Sequence, residues 1–487
     1  MRMRHPYRAL IGAALLAACG GARVTPATLP APMLPPAPAP AKSSKFDAAP
    51  PGWQRMDYAT DSVMGVGSDR AIRELLAGKV PRRRVVVAVI DGGVDTSEAL
   101  LRPNLWTNAA GLHGWNFVGG PNGSINKETL EVTRVYAACH GYAAGTGIAK
   151  PDAAMCAKAS ADFAKKRTDV TTTYAQVMSI SKVYDQVTAT LRRDLGSPSL
   201  TKSSVTAYKP AAPADSGARR IWLQLAGAGI DSMQLAEARN SYGPQATVGL
   251  DTVYYSRGLF GDTSAAVRAS RRWGNRDVTG PDPLHGTHVA GIIAATLDSV
   301  SKGLGGIAPF ASIMSVRTVP NGDERDEDVA AAIRFAADNG ANILNMSFGK
   351  PYSPGKAMVD SAVRYAASIG VLMVHAAGND GEDTDSIPEY PNPKLLDGSR
   401  AANWIEVGAS SWNGLPELAA PFTDYGRQTV DLFAPGVDIL STLPGGTSGM
   451  ESGTSMSAPV VSGVAALLMA YFPDLTAADV RALILRT

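Results

Sequence analysis

Val85-Val86-Val87-Ala88-Val89-Ile90-Asp91-Gly92-Gly93 is an unbroken apolar run closed by a carboxylate and two glycines. An apolar, largely β-branched run without alternation describes a strand buried on both faces, as in parallel sheets. Further strands are expected at Ser312 to Val319, Ile343 to Met346, Val371 to His375, Trp404 to Val407 and Thr429 to Phe433. Helical stretches fall between and after these strands, at Leu284 to Leu297, Asp326 to Asp338, Lys356 to Ser368 and Leu475 to Leu485. Asp326 opens its helix with acidic residues, and Gly340 and Gly370 stand just past helix ends, as capping favours. Repeated βα alternation predicts an α/β fold with a doubly wound, mostly parallel sheet and helices on both faces. Sites in such sheets assemble at the carboxyl ends of strands, and Asp91 stands at one.

A second stretch carries the chemistry. Gly453-Thr454-Ser455-Met456-Ser457-Ala458-Pro459 precedes an apolar run from Val460 to Met469, too long for one strand and read as a buried helix. Ser455 then lies at a helix N-terminus, among outward-pointing amides and the positive dipole end. A serine placed there can attack a carbonyl while nearby amides stabilise the resulting oxyanion. Pro459 is expected in the first turn, where a missing N–H is tolerated. Taken alone, the stretch reads first as an ordinary Ser/Thr helix cap, and the rest of the chain decides against that. A serine hydroxyl needs a base, and histidine titrates near neutrality. The imidazolium needs a carboxylate to orient it. Asp91, His285 and Ser455 are these three types, far apart in sequence.

Composition narrows the classes. The chain has 487 residues, 45% hydrophobic and 18% charged, with a formal net charge of +2. That suits a globular protein and offers no electrostatic case for nucleic acid. At the N-terminus, Arg2, Arg4 and Arg8 precede Ala9 to Ala18, an apolar run too short to span a bilayer. It ends Leu16-Ala17-Ala18-Cys19, which resembles a bacterial lipobox and implies cleavage before Cys19 and its lipidation. A conventional secretory signal is the alternative, and either one exports the chain. No other stretch reads as long and apolar enough to cross a membrane. Prolines 30, 32, 35, 36, 38 and 40 among alanines predict an extended tether. With Cys19 lipidated, Cys139 and Cys156 remain as a candidate disulfide in an oxidising compartment, or as two buried thiols.

Three motifs carry a family resemblance: Val87-Ala88-Val89-Ile90-Asp91-Gly92-Gly93-Val94-Asp95, His285-Gly286-Thr287-His288-Val289-Ala290-Gly291 and Gly453 to Pro459. They resemble the three signatures of subtilisin-like serine proteases (subtilases, peptidase family S8), in that family's order. The resemblance spans about Arg83 to Gly120 and Pro281 to Thr487. It implies a serine endopeptidase acting on polypeptides through an acyl-enzyme, with no cofactor for the chemistry. It implies that Asp91 orients the imidazole, His285 is the general base and Ser455 the nucleophile. Ala376-Ala377-Gly378-Asn379-Asp380 resembles the oxyanion segment, with Asn379 as donor. Asn345-Met346-Ser347-Phe348-Gly349 resembles the edge that pairs with substrate backbone. Ser347, Phe348, Gly349, Ala377 and Gly378 are therefore the expected substrate-binding residues. Phe348 and the small walls Ala376 to Gly378 suggest an apolar first pocket. Phe433 to Gly436 and Tyr390-Pro391 match as scaffold.

The expected organisation is a lipoprotein signal over 1–19, a tether over 20–51, and a peptidase domain split between 52–120 and 281–487. A mainly helical insertion over 121–280 separates its halves. In that insertion Tyr174, Val177, Met178, Ser181, Tyr184, Val187 and Leu191 share a helical face, closed by Gly196-Ser197-Pro198. A polar linker is expected near Ala211 to Ser216 and a second helix around Met233 to Arg239. About 30 residues from Pro51 to Pro81 leave no room for the family's propeptide domain. The C-terminal helix ends without a closing strand, so an incomplete C-terminus is expected. The chain is expected to act as a monomer, held at the cell envelope by its lipid.

Other readings compete. Asp91 alone suits a turn, and Asn379 suits the turn before Asp380-Gly381. His285 and His288 form an H-x-x-H pair without a third ligand nearby, so no catalytic metal is expected. His5, His113, His140 and His375 read as structural or solvated. The run Asp380, Glu382, Asp383, Asp385 offers oxygen donors for a structural calcium, or is a solvated loop. An idle scaffold with a partner-binding insertion would be expected to lack a triad member, and none is lacking. An α/β-hydrolase esterase wants G-x-S-x-G and the order Ser, Asp, His, which this chain does not show.

Overall fold

The computed structural model describes residues 46, 48–120, 123–228, 230–260, 273–297, 303–414 and 417–486. The signal over 1–19, Cys19 and most of the tether lie outside the described residues.

Seven parallel strands form one sheet: β1 (Val86–Asp91), β2 (Gly114–Asn116), β3 (Ser312–Arg317), β4 (Ile343–Met346), β5 (Leu372–Ala376), β6 (Trp404–Ser410) and β7 (Leu432–Pro435). Their spatial order is β2-β3-β1-β4-β5-β6-β7. β1 pairs with β3 on one side, Asp91 opposite Arg317, and with β4 on the other, Ile90 opposite Met346. The chain therefore reverses direction across β1, at the crevice where such sheets bind ligands. Because all seven strands run the same way, Asp91, Met346 and Ala376 end at one edge.

Side chains alternate along each strand. Val87 and Val89, with Ile313, Ile343, Val374 and Val407, enter one core layer against the helices Leu284–Ala294 and Thr454–Tyr471. Val86, Ala88 and Ile90, with Met314, Leu344 and Met373, enter the other against Asp326–Asp338 and Lys356–Ser368. This accounts for the missing alternation in the sequence, since both faces of β1 are covered. Thr454–Tyr471 is apolar enough to cross a membrane by length and composition, contrary to expectation. Its most apolar window is 83% buried, which makes it a core helix here. The strands that went unforeseen include β2 and the antiparallel hairpin of β8 (Ile439–Leu443) and β9 (Thr447–Glu451).

The chain divides into two compact units. One holds the sheet, with described residues up to Ala159 and from Asp251 onward; the other is Ser160–Leu250. In the first, Cys139 and Cys156 are joined by a disulfide. In the second, Val177 and Ile180 of the long helix Ala153–Leu195 pack with Leu225, Ile230 and Leu235. Val187 and Leu191 pack with Val205, Ala218 and Trp222. Met178, expected on that face, is instead 44% exposed. The expected linker at 211–216 is largely the first turn of a helix, Pro213–Gly227, with Pro213 at a position that needs no N–H donor.

Candidate active site

Asp91 is the last residue of β1 and almost fully buried. His285, second in its helix, brings Nδ1 within 2.9 Å of both Asp91 carboxylate oxygens. The contact spans 194 residues of sequence and depends on close backbone approach. A Cβ at position 286 would fall 2.1 Å from the Gly93 carbonyl oxygen, so only glycine lets the helix seat here. Thr287 locks the same junction: its hydroxyl donates to the Pro283 carbonyl (2.6 Å) and accepts from the Asp95 N–H (2.8 Å). With Nδ1–H donated to Asp91, a neutral imidazole keeps Nε2 as its acceptor. That nitrogen is buried without a hydrogen-bond partner among the described residues.

His288 is used differently. Its Nε2 donates to the carbonyls of Ile439 (3.0 Å) and Gly449 (3.2 Å) on the β8–β9 hairpin. Burial pushes its pKa down to about 4, so it is neutral at physiological pH. Ser441 and Thr442 donate their hydroxyls to the backbone carbonyls of His288 and Thr287. The hairpin therefore clamps the helix that carries His285. His375 is also structural: it bridges Glu406 and the Phe348 carbonyl, both at 2.8 Å.

Ser455 is the second residue of Thr454–Tyr471, so its N–H lacks an acceptor one turn back. Pro459 sits deeper than expected, as the sixth residue of that helix. It can offer no N–H to the Ser455 carbonyl four residues earlier. The Ser347 hydroxyl replaces it, donating to the Ser455 carbonyl at 3.0 Å. Ser347 in turn accepts from Asn345, whose Oδ1 accepts from Ser462. This buried chain of bonds ties the end of β4 to the Ser455 helix. The Ser455 hydroxyl donates to the Ser347 carbonyl at 3.3 Å.

A pocket opens beside it, lined by Ser347, Phe348, Gly349, Ala376 to Asp380, Glu389, Thr454 and Ser455. All five expected substrate-binding residues therefore line one cavity with Ser455 and Asn379. The expected small apolar residues Ala376 and Ala377 are in its lining, together with the acidic Asp380 and Glu389. Asn379 Oδ1 accepts from the Thr454 N–H (2.8 Å) and hydroxyl (3.1 Å), which fixes the amide's orientation and leaves Nδ2 as its donor end.

Among the described residues, no group of three His, Cys, Asp or Glu is placed to hold a metal. In the acidic run, Asp385 accepts from the amides of Gln428 and Thr429 and from the Thr429 hydroxyl. Sequence reasoning missed the β8–β9 clamp, Glu389 and Asp424. Asp424 accepts from the backbone beside Asn379. None of them stands in a motif, and each is brought in only by tertiary contact.

Comparisons with known proteins agree with these motifs. A family model described as Peptidase S8, subtilase family, matches residues 82–487. The chain is similar to Subtilisin Savinase of Lederbergia lenta, 38% identical over 198 residues, covering 40% of this chain and 67% of that protein. It is similar to M-protease of Shouchella clausii (strain KSM-K16), 39% identical over 198 residues, covering 40% and 47%. A solved structure of a cold adapted subtilisin-like serine proteinase aligns at 30% identity, covering 44% of this chain and 70% of that one, with a TM-score of 0.36. The chain thus spans about half to two thirds of the length of these curated relatives.

Proposed function

The chain belongs to the subtilase family, and on that premise we propose that it is a serine endopeptidase that hydrolyses polypeptides through Asp91, His285 and Ser455. The observation that carries the reading is the Asp91–His285 contact at 2.9 Å, which leaves Nε2 as the acceptor at the sheet edge.

In the proposed reaction the Ser455 hydroxyl turns from the Ser347 carbonyl and gives its proton to His285 Nε2 as Oγ bonds to the scissile carbon. The oxyanion accepts from Asn379 Nδ2 and the Ser455 N–H. Asp91 accepts from Nδ1–H and stabilises the imidazolium. Nε2–H then protonates the leaving amine and the C–N bond breaks, leaving an acyl ester on Ser455. Water, deprotonated by Nε2, attacks that ester; the acid product leaves and Oγ regains its proton.

Substrate backbone would lie along Ser347 to Gly349. Successive carbonyls of an extended segment point to opposite sides. The Phe348 carbonyl is turned inward to His375, which leaves those of Ser347 and Gly349 for substrate. Glu389 and Asp380 in the pocket imply discrimination against an acidic residue on the acyl side of the cut. Substrates with Glu there should show kcat/KM about tenfold or more below those with Leu, and Glu389→Gln should narrow the gap. Equal rates for Glu and Leu in the parent enzyme would remove this role for the carboxylates.

The basic and apolar N-terminal stretch ending at Cys19, with the Cys139–Cys156 disulfide, supports export and lipid anchoring at the bacterial envelope. Cys19→Ser should move the protein from the membrane fraction to the soluble exported fraction; continued membrane retention would rule out this anchor. The catalytic reading is tested by labelling with a fluorophosphonate serine probe. The parent chain is expected to label and Ser455→Ala not to; equal labelling of both would overturn the assignment of Ser455.

A further inference from the structure

We infer that Asp424 is a positioning residue for Asn379, holding the loop after β5 in the shape that aims the Asn379 amide into the pocket; this rests on the proposed oxyanion role of Asn379. The loop Gly378 to Glu382 has no ladder partners of its own, and Asp424 supplies them. One carboxylate oxygen, Oδ1, accepts from the N–H of Asp380 (2.8 Å) and of Glu382 (2.9 Å). The Asp424 N–H donates to the Gly378 carbonyl (3.0 Å). Asn379 is therefore bracketed on both sides of its own backbone by one residue.

The flanking contacts reinforce the grip. The Gly381 N–H donates to the Phe422 carbonyl at 2.9 Å, and the Tyr425 N–H to the Glu382 carbonyl at 3.0 Å. Gly378 has φ +116, and a Cβ there would fall 2.1 Å from Asp424 Oδ2, so the carboxylate sits hard against the loop. From the other side, Thr454, next to Ser455, holds Asn379 Oδ1, and its hydroxyl accepts from the Gly378 N–H. The Asn379 amide is thus fixed between the Ser455 helix and Asp424.

The chemistry fits the residue type. Two N–H groups converge on one oxygen, and a carboxylate oxygen has lone pairs for both without a proton of its own to place. Burial, then the charges of Asp380 and Glu382 working against the two backbone N–H donors, pushes its pKa up to about 6. Asn at this position would keep an acceptor oxygen without the buried charge, and alanine would leave both amides unpaired.

The test is a double-mutant cycle on a chromogenic peptide substrate. Asp424→Ala should lower kcat roughly 10- to 100-fold with KM within about twofold, since sub-ångström placement of catalytic groups carries penalties of this size. Asp424→Asn should restore most of the rate. In an Asn379→Ala background, Asp424→Ala should cost less than about twofold, because the group it positions is already gone. Should Asp424→Ala fold poorly, Asp424→Ser keeps a small side chain with one acceptor and should fall between Asn and Ala. An undiminished loss in the Asn379→Ala background, or no loss in the Asn379 parent, would overturn the inference. If Asn379→Ala alone left kcat intact, the oxyanion reading itself would fail, and with it the premise of this role.

Discussion

Ser455→Ala is expected to lower kcat for peptide hydrolysis by about 10⁶-fold, a magnitude taken over from subtilisin, a family relative whose own triad set it. The methyl group removes the atom that forms the acyl ester, so neither His285 nor Asp91 has a proton transfer left to assist. Residual hydrolysis would depend on water attacking a carbonyl polarised by Asn379 and the Ser455 N–H. The fold should be unaffected. Oγ makes one long bond, 3.3 Å to the Ser347 carbonyl, and a bond of that kind is worth about 1 kcal/mol at most. Pre-steady-state kinetics and thermal melting on the same samples check both halves. Activity within tenfold of the parent would exclude Ser455 as nucleophile, and a collapsed melting transition would mean that the serine serves the fold.

Asn379→Ala is expected to lower kcat by about 10²- to 10³-fold with little change in KM, again on the scale set by subtilisin. A donor that meets charge only in the transition state leaves substrate affinity alone. Here the substitution has a second effect, because Asn379 Oδ1 caps the Thr454 N–H at the start of the Ser455 helix. Loss of that cap should cost about 1 kcal/mol of stability. Asn379→Asp separates the two roles, since it keeps the acceptor for Thr454 but replaces the Nδ2 donor with oxygen. It should melt at or above the temperature of Asn379→Ala and be no faster. An Asn379→Asp enzyme with parental kcat would show that the donor plays no part.

Much of the sheet was legible because its strands are covered on both faces. Val85 to Ile90 can be a continuous apolar run only if nothing on either side is wet, and the structure buries it. Asp326–Asp338 and Lys356–Ser368 were bounded correctly by their acidic start or closing glycines. What escaped has physical reasons. β2 is three residues long, too short for a period. Thr447–Glu451 is mostly polar and glycine-containing, and is held by pairing with β8 rather than by burial. Pro213 to Ser216 looked like a linker because its proline and small polar residues also suit a helix's first turn. Pro459 was placed a turn too early, because the Ser347 hydroxyl that tolerates it inside the helix is remote in sequence.

Of the candidate site, the sequence by itself determined the residue types and where each stands on its element. Asp91 ends a buried strand, His285 and Ser455 open helices, and Asn379 follows a strand, all from local apolar patterning and turn chemistry. Only the tertiary structure decided that His285 meets Asp91 and that Asn379 lines one pocket with Ser455, and parallel pairing of β1, β4 and β5 brings the carboxyl ends of those strands to one edge. It also decided that His288 bonds to the β8–β9 hairpin, and that Asp424 grips the Asn379 loop. It placed Glu389 in the lining of the pocket beside Ser455. Each of those depends on contacts between residues remote in sequence, which local propensity does not encode.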